Sequence, residues 1–229
     1  MTEMNGLKIM SKLIRLNAIN GMNNESNVLI GKNVLLNGDI IALPTDTIYG
    51  LAVSAINDSA IHKLYDLKTR DCSKPIAICV SDVDQLSQWC QLTVGTELLN
   101  DLLPGPVTLV FNRSPNLNKN LNPNYDSIGV RIPNHNFVRQ LCRVCGPLGL
   151  TSANISSQSS CLSVDEFKHL WPHLSVVFDG GLLGQSDPNR LGSTVVDLSV
   201  EGSFKIIRSG CAFSQTISLL QNKYHLKRL

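Results

Sequence analysis

The chain has 229 residues and a formal net charge of +2 at pH 7, which is too balanced for a general nucleic-acid-binding protein. Its hydrophobic content of 43% and charged content of 17% exclude a disordered chain and suit one large domain. An anionic partner must therefore meet a local cluster of cations.

The seven cysteines are odd in number and irregularly spaced, which favours reduced thiols and an intracellular protein. Cys142 and Cys145 form a Cys-x-x-Cys pair, and His169 and His173 follow it. The segment between the two pairs exceeds the roughly 12–15 residues of a zinc finger, and Pro172 would break a helix that aligned the histidines. We therefore assign no metal ligand and expect these cysteines on a helix face.

Residues 1–27 are polar and aperiodic, so we predict a disordered N-terminal arm followed by one domain over 28–229. From Met10 this arm has cations and no acid until Glu25, which would make a weak mitochondrial presequence if Met10 were a start site. No apolar run approaches the roughly 20 residues that span a bilayer, so we predict no transmembrane segment. We expect a cytoplasmic location, with a mitochondrial pool as the alternative.

Helical and strand patterns alternate in the first half of the chain, while strands follow one another near its end. This order predicts a single α/β domain with a mixed parallel and antiparallel sheet. Ser163 and Glu166 have the spacing of a capping box at a helix start. The predicted helices are 28–37, 59–67, 82–89, 96–103, 135–145, 163–170 and 214–224. The predicted strands are 40–43, 76–80, 107–111, 127–133, 176–178, 193–198 and 204–207.

A dense polar cluster follows the first predicted strand. Pro44 has no backbone N–H to donate to a neighbouring strand, so it ends the hydrogen bonding of the predicted strand. The polar residues that follow it are Thr45, Asp46, Thr47 and Tyr49. In open α/β sheets, ligands bind beyond the carboxyl ends of the strands. A polar strand exit that satisfies its own backbone explains this stretch equally well when it is taken alone.

Five cations lie beside apolar runs or proline turns, and Arg131 is the most unusual of them. It stands in the apolar run Gly-Val-Arg-Ile-Pro, where a strand would bury it, so it needs an anionic partner. Guanidinium forks match phosphate oxygens, so several converging cations suit a polyphosphate. The five are Lys68, Arg70, Lys74, Arg131 and Arg208.

Hydroxyl and amide side chains also stand at the ends of the apolar runs. Such groups fix a small zwitterion or a nucleotide by pairing donors with acceptors. The chain has no Walker A sequence, no Gly-x-Gly-x-x-Gly helix start and no Gly-x-Ser-x-Gly elbow. The residues alone predict a pocket for a phosphate compound beside a pocket for a small polar ligand. The polar residues are Thr45, Thr47, Ser127, Thr151, Ser152, Asn154, Ser193 and Thr194.

Eight short motifs occur in a fixed order, and together they resemble the YrdC family of L-threonylcarbamoyladenylate synthases. The similarity runs from about residue 28 to 224, and its second half is most similar to animal members. Each motif is weak alone, but eight in order make an accidental match very improbable. The motifs lie at 44–51, 68–70, 73–75, 104–108, 129–133, 151–154, 192–197 and 207–208.

The resemblance implies a fold and a reaction. The family fold is a strongly twisted mixed sheet with flanking helices around a deep, positively charged cavity. The family makes threonylcarbamoyl-AMP and pyrophosphate from L-threonine, bicarbonate or CO2, and ATP with Mg2+, without a dedicated protein site for the metal. A separate KEOPS-type transferase assembly then places the group on the adenosine beside the tRNA anticodon, so contact with tRNA is indirect or weak.

By motif position, the resemblance also implies roles for individual residues. The candidate catalytic cations are Lys68, Arg70 and Arg131. The residues expected to bind threonine are Thr45, Thr47, Arg131, Ser152 and Thr194. The residues expected to bind ATP are Lys68, Arg70, Lys74, Ser127, Asn154, Ser193 and Arg208.

The sequence departs from the family pattern at two of these motifs. Cys79 stands where many bacterial and archaeal members have a histidine near the threonine, and Ser157 replaces a glycine that usually follows the 151–154 motif. Two other functions remain open at this point. One is a non-catalytic module that binds double-stranded RNA or tRNA on the same fold, and the other is a hydrolase that consumes the adenylate.

Overall fold

The computed structural model describes residues 12–16, 24–68, 75–154, 159–184 and 189–229, and they form one α/β domain built on a single sheet. The strands are β1 (Lys12–Arg15), β2 (Ile41–Pro44), β3 (Tyr49–Ser54), β4 (Ala77–Cys79), β5 (Cys90–Gln91), β6 (Val107–Arg113), β7 (Ser127–Arg131), β8 (Leu148–Ser152), β9 (Val176–Asp179), β10 (Thr194–Asp197), β11 (Ser203–Arg208) and β12 (Lys227–Arg228). The helices are α1 (Glu25–Leu36), α2 (Asp58–Leu67), α3 (Leu86–Trp89), α4 (Thr96–Leu102), α5 (Asn136–Cys145) and α6 (Phe213–Ser218).

The sheet is mixed, as the order of the predicted elements indicated. Its strands lie in the order β1-β9-β2-β3-β8-β4-β7-β6-β10-β11-β12, and β5 pairs with β6. Parallel pairs such as β4 with β7 alternate with antiparallel pairs such as β3 with β8. The predicted α/β class and the mixed sheet with flanking helices are therefore confirmed.

A hairpin replaces the single strand predicted around residue 43. β2 turns at Thr45–Ile48 and returns as β3, with Leu43 opposite Gly50. All six residues of β3 are buried, so it lacks the alternation of apolar and polar residues by which a strand is recognised. The polar cluster of the sequence analysis is the turn of this hairpin.

The N-terminal arm was predicted to be disordered, and part of that prediction is wrong. β1 pairs in parallel with β9, and the Leu16 backbone N–H donates to the Asp179 carbonyl at 2.7 Å. Helix α1 also begins at Glu25, inside the predicted arm. A strand of four residues is too short to show an alternation of apolar and polar side chains. β1 is ordered because it forms backbone hydrogen bonds with the edge of β9 that would otherwise be unpaired. The rest of the predicted arm lies outside the described residues.

Two apolar clusters form the core. The larger includes β3, α2, β6 and β7, while the smaller lies between the sheet and helices α1 and α5. In the smaller cluster the rings of Phe137 and Phe178 are 4.7 Å apart between centroids. Gly31 allows α1 to approach α5, because a Cβ there would lie 2.8 Å from Leu141 Cδ2. Cys142 and Cys145 lie on the buried face of α5, as predicted.

Three predicted helices differ in detail, and the one predicted over 214–224 divides into α6 and a π-helix over Leu219–Lys223. The capping box at Ser163 is not formed, because the Ser163 hydroxyl donates to the Glu166 carboxylate at 3.4 Å and does not cap the helix, and that carboxylate also pairs with Arg190. The segment Val164–His173 is a 3₁₀ helix with a kink at Phe167. The segment predicted as 82–89 divides into a 3₁₀ turn and α3. In the part of the chain that is described, no helix is long and apolar enough to cross a membrane.

Candidate active site

The β2–β3 turn is held by the Thr45 hydroxyl. Thr45 Oγ1 donates to the Ile48 carbonyl at 2.7 Å and accepts from the backbone N–H groups of Thr47 and Ile48 at 3.1 and 3.2 Å. It also lies 3.1 Å from Thr47 Oγ1. Either hydroxyl is able to donate in this last contact. The Thr45 side chain therefore closes the turn. The residue is only 2% exposed to solvent.

Arg131, at the end of β7, meets this turn from the other half of the sheet. Its Nη2 donates to Asp46 Oδ1 at 2.6 Å and to Thr47 Oγ1 at 3.0 Å. The arginine is only 6% exposed, and its Nε has no hydrogen-bond partner among the described residues. A buried guanidinium with an unused donor favours an anionic ligand at this position.

The contact between Arg131 and Thr47 requires a strongly curled sheet. The strand register leads from Arg131 through Cys79 and Leu148 to Ser54, which lies seven residues from Thr47. On a flat sheet this path would separate the two side chains by roughly 25–30 Å. The observed bond of 3.0 Å shows that the sheet folds over one face. That face is where the predicted site residues meet.

Two further titratable groups lie beside the Arg131–Asp46 pair. Burial raises the pKa of the Cys79 thiol to about 12, with Arg131 opposing and Asp46 adding to the shift, so the thiol stays protonated. Burial lowers the pKa of His135, and the negative charge of Asp46 opposes that shift. His135 Nδ1 is buried without a hydrogen-bond partner in the described chain. The surroundings of the ion pair are thus a neutral thiol and an imidazole that resists protonation.

Lys68 forms a second group with the end of β8. It follows α2, is 3% exposed, and its Nζ donates to the Ser152 carbonyl at 2.8 Å and to the Asn154 carbonyl. Ser152 Oγ also bonds to the Asn154 amide oxygen. This group adjoins the turn, because Ser152 pairs with Gly50 and the Ala153 N–H donates to the Tyr49 carbonyl at 3.0 Å.

Ser193 and Arg208 form a third group at the start of β10. Arg208 Nη2 donates to the Ser193 carbonyl at 2.8 Å and to Ser193 Oγ at 3.1 Å. Ser193 Oγ in turn bonds to Thr108 Oγ1 at 2.8 Å. The neighbouring Thr194 is fully buried, and its hydroxyl has no hydrogen-bond partner in the described part of the chain.

Glycines allow the third group to approach the others. A Cβ on Gly192 would lie 3.5 Å from Ile48 Cδ1 in the β2–β3 turn and 3.6 Å from Arg208 Nη2. A Cβ on Gly210 would lie 2.3 Å from the backbone of Ser193, so only glycine permits this approach. The three groups therefore form one site.

Most predicted site residues are thus brought together. The exception among the described residues is Ser127, which lies at the opposite end of β7 from Arg131 and opposite Asn112. Arg70, Lys74 and Ser157 lie outside the described residues, so their predicted roles stay predictions. Asp46, His135 and Thr108 were missed as contacts, although Asp46 stood in the motif itself.

The donor set of the site offers little to a metal ion. Among the described residues, no group of three or more His, Cys, Asp or Glu side chains is arranged to hold one. Surface cavities elsewhere, such as one of about 660 Å³ lined by Ser214 and Lys223, contain none of the predicted site residues.

Comparison with known proteins agrees with the motif order. The family model Sua5_yciO_yrdC, described as "Telomere recombination", matches residues 33–210. The chain is 56% identical to mouse threonylcarbamoyl-AMP synthase over 192 residues, covering 82% of this chain and 69% of the mouse protein. It is 54% identical to human threonylcarbamoyl-AMP synthase over 192 residues, with the same two coverages of 82% and 69%.

A solved structure gives the same fold. P. abyssi Sua5, crystallised with L-threonine, matches with a TM-score of 0.78 at 24% identity, over 96% of this chain and 62% of the Sua5 chain. The chain thus spans about three fifths of that protein's length. The family model and the mammalian relatives show that the chain belongs to the Sua5/YciO/YrdC family.

Proposed function

We propose that the protein is a threonylcarbamoyl-AMP synthase, which forms L-threonylcarbamoyladenylate and pyrophosphate from L-threonine, bicarbonate or CO2, and ATP. The observation that carries this proposal is the buried Arg131, whose Nε has no hydrogen-bond partner within the described residues and lies beside a turn of hydroxyls. The names of the mammalian relatives, at 54–56% identity, support the same reaction.

The threonine side of the site is assigned to the turn and its neighbours. Arg131 binds a carboxylate or carbamate oxygen through the donors that Asp46 and Thr47 leave unused. The unpartnered Thr194 hydroxyl and the Ser152 hydroxyl suit the polar groups of a small amino acid. Thr45 acts through the turn that it closes, since its proton is donated to the Ile48 carbonyl.

The ATP side is assigned to the second and third groups. Lys68 is held by two backbone carbonyls, so its ammonium has a fixed position from which to meet developing negative charge. Asn154, Ser193 and Arg208 are assigned to ATP with it, and Arg70 and Lys74 are further predicted contacts. Mg2+ enters with the nucleotide, since Mg2+ is usually bound through phosphate oxygens and few protein ligands. It adds charge neutralisation at the phosphates.

The chemistry has two steps. The threonine amine attacks CO2, the N–C bond forms as one C–O π bond opens, and the amine proton passes to solvent, which gives a carbamate whose charge Arg131 or Lys68 stabilises. A carbamate oxygen then attacks the α-phosphorus of ATP, and the bond from that phosphorus to the bridging oxygen breaks to release pyrophosphate. Both steps depend on positioning and on fixed positive charge, so no protein nucleophile is required.

We further propose that the product passes to a KEOPS-type threonylcarbamoyltransferase assembly that modifies tRNA, with only indirect or weak contact between this chain and tRNA. A net charge of +2 supports weak contact, because nucleic-acid affinity depends on many cations. We propose a cytoplasmic location, and the cationic stretch after Met10 motivates a test for a mitochondrial pool.

An omission series tests the proposed function. The purified protein is incubated with ATP, Mg2+, L-threonine and bicarbonate, and the adenylate is identified by mass spectrometry. We expect product only when all components are present. An enzyme that consumes supplied adenylate without forming any would be a hydrolase, and a protein that binds RNA with a steep salt dependence and forms no adenylate would be a binding module.

A further inference from the structure

Asp46 lies at the centre of the β2–β3 turn and makes the shorter of the two bonds to Arg131. Its Oδ1 accepts from Arg131 Nη2 at 2.6 Å, while Thr47 Oγ1 accepts from the same nitrogen at 3.0 Å. A guanidinium Nη carries two N–H groups, so the turn occupies both of them. Nε is buried and has no hydrogen-bond partner within the described part of the chain.

The acceptors that hold Arg131 are themselves fixed. Thr47 Oγ1 lies 3.1 Å from Thr45 Oγ1, which is anchored by the backbone of Ile48. The side chain of Asp46 is 11% exposed and that of Arg131 is 7% exposed, so little water competes for their bond. The guanidinium therefore has one orientation, set from one of its three nitrogens.

We propose that Asp46 is a positioning residue, which holds Arg131 by Nη2 so that the buried Nε donor is presented to the carboxylate or carbamate of the substrate. The proposal rests on the proposed function for the identity of that substrate. Its physical basis is that a rigid planar guanidinium directs each N–H along a fixed line, so Nε reaches a substrate oxygen well only in one orientation. A side chain that fixes this orientation before the ligand arrives reduces the entropy lost on binding.

A second explanation is that Asp46 only neutralises a buried cation and has no effect on substrate binding. The two explanations differ in what they predict when Arg131 is removed. A positioning residue acts through Arg131, so its own replacement has no further effect on threonine affinity in an Arg131→Ala background. This is the coupling that a double-mutant cycle measures.

The experiment measures L-threonine binding by calorimetry for the wild type, Asp46→Ala, Asp46→Asn, Arg131→Ala and the double alanine variant. We expect Asp46→Ala to weaken threonine binding by about tenfold or more, the effect of losing one charge-assisted hydrogen bond. Asp46→Asn should keep affinity within about threefold of the wild type, because its amide oxygen still accepts from Nη2. The double variant should bind threonine as Arg131→Ala does.

Asp82→Ala is the matched control. Asp82 accepts from Arg139 at 2.7 Å and from Arg143 at 2.9 Å, so this variant also breaks arginine ion pairs, on the surface of α5. We expect its threonine affinity to equal that of the wild type. Melting temperatures are measured for every variant, so that affinities refer to folded protein.

Two results would overturn the proposal. One is wild-type threonine affinity in folded Asp46→Ala, and the other is a further loss in the double variant beyond that of Arg131→Ala. The proposed function fails separately, if wild-type protein binds threonine but forms no adenylate. A wild type that binds no threonine would overturn both.

Discussion

Replacing Arg131 by lysine separates the shape of the guanidinium from its charge. Lysine keeps the positive charge, but its three N–H donors radiate from one nitrogen, so it cannot bind Asp46 and Thr47 and also reach a ligand from a second nitrogen as Arg131 does with Nε. Loss of one charge-assisted hydrogen bond costs about 1.5–3 kcal/mol. We therefore expect kcat/KM for threonine to fall by roughly ten- to a hundredfold at saturating ATP.

The same variant also perturbs stability, because Arg131 pairs with a buried acid. Removing one partner of a buried ion pair costs about 3–5 kcal/mol, and lysine should lose less because it retains the charge. The assay is threonine-dependent formation of pyrophosphate, expressed per folded enzyme from a thermal melt of the same preparation. Arg139→Lys is the control, since Arg139 pairs with Asp82 on α5.

An Arg131→Lys variant with a lowered Tm and normal kcat/KM per folded enzyme would refute the reasoning. In that case Arg131 would serve only as the counter-ion of Asp46. Equal losses of kcat/KM in Arg131→Lys and Arg139→Lys would also contradict the reasoning, because the loss would then not depend on a position in the candidate active site.

The remaining predictions concern parts of the fold that support the site. Gly210→Ala places a Cβ 2.3 Å from the Ser193 backbone, so we expect a raised KM for ATP and a lower Tm, measured by steady-state kinetics and calorimetry. An unchanged KM for ATP would contradict the proposal that Ser193 and Arg208 bind ATP. The folded pKa of His135 is lowered by burial, so stability should fall as pH drops below the unfolded pKa of about 6.5. In His135→Gln, the Tm should depend less on pH between about 5 and 7.5, and an unchanged profile would contradict the burial effect. Deleting residues 1–16 removes β1 from the edge of β9, and the Tm should fall, whereas an unchanged Tm would mean that β1 adds no stability.

Local patterns in the sequence predicted most of the elements near the site. The apolar runs before the β2–β3 turn and around β7 are short, and each is followed by polar residues, so both the strands and their polar ends were identifiable. The start of α2 is likewise local, since the Asn57 side chain caps the helix by accepting from the Ala60 N–H at 3.0 Å. These features depend on neighbours within a few residues.

Contacts between distant residues could not be predicted in the same way. The bond between Asp46 and Arg131 joins residues 85 positions apart, and it depends on how far the sheet curls. Glu166 has the spacing of a capping residue, but the Arg190 guanidinium competes for its carboxylate. Local spacing predicts which bonds a side chain is able to make, while the tertiary fold decides which one forms.

The buried strand β3 was missed for a different reason. Its six buried residues include Gly50, whose Cβ position would lie 2.7 Å from Leu150 Cδ1, so a glycine there serves the close approach of β8. A short run containing glycine, tyrosine and alanine, buried on both faces, has no period that distinguishes a strand from a loop. Only its pairing with β2 and β8 shows that this run is a strand.

A triple-label experiment tests the central claim most directly. The protein is supplied with Mg2+, ATP labelled at the α-phosphorus, L-threonine labelled on carbon, and bicarbonate carrying a different carbon label, and the products are separated by chromatography. We predict one product that carries all three labels in equal amounts, together with unlabelled pyrophosphate, and far less of it from Arg131→Lys. Release of AMP without a product containing both threonine and bicarbonate carbon would contradict the account.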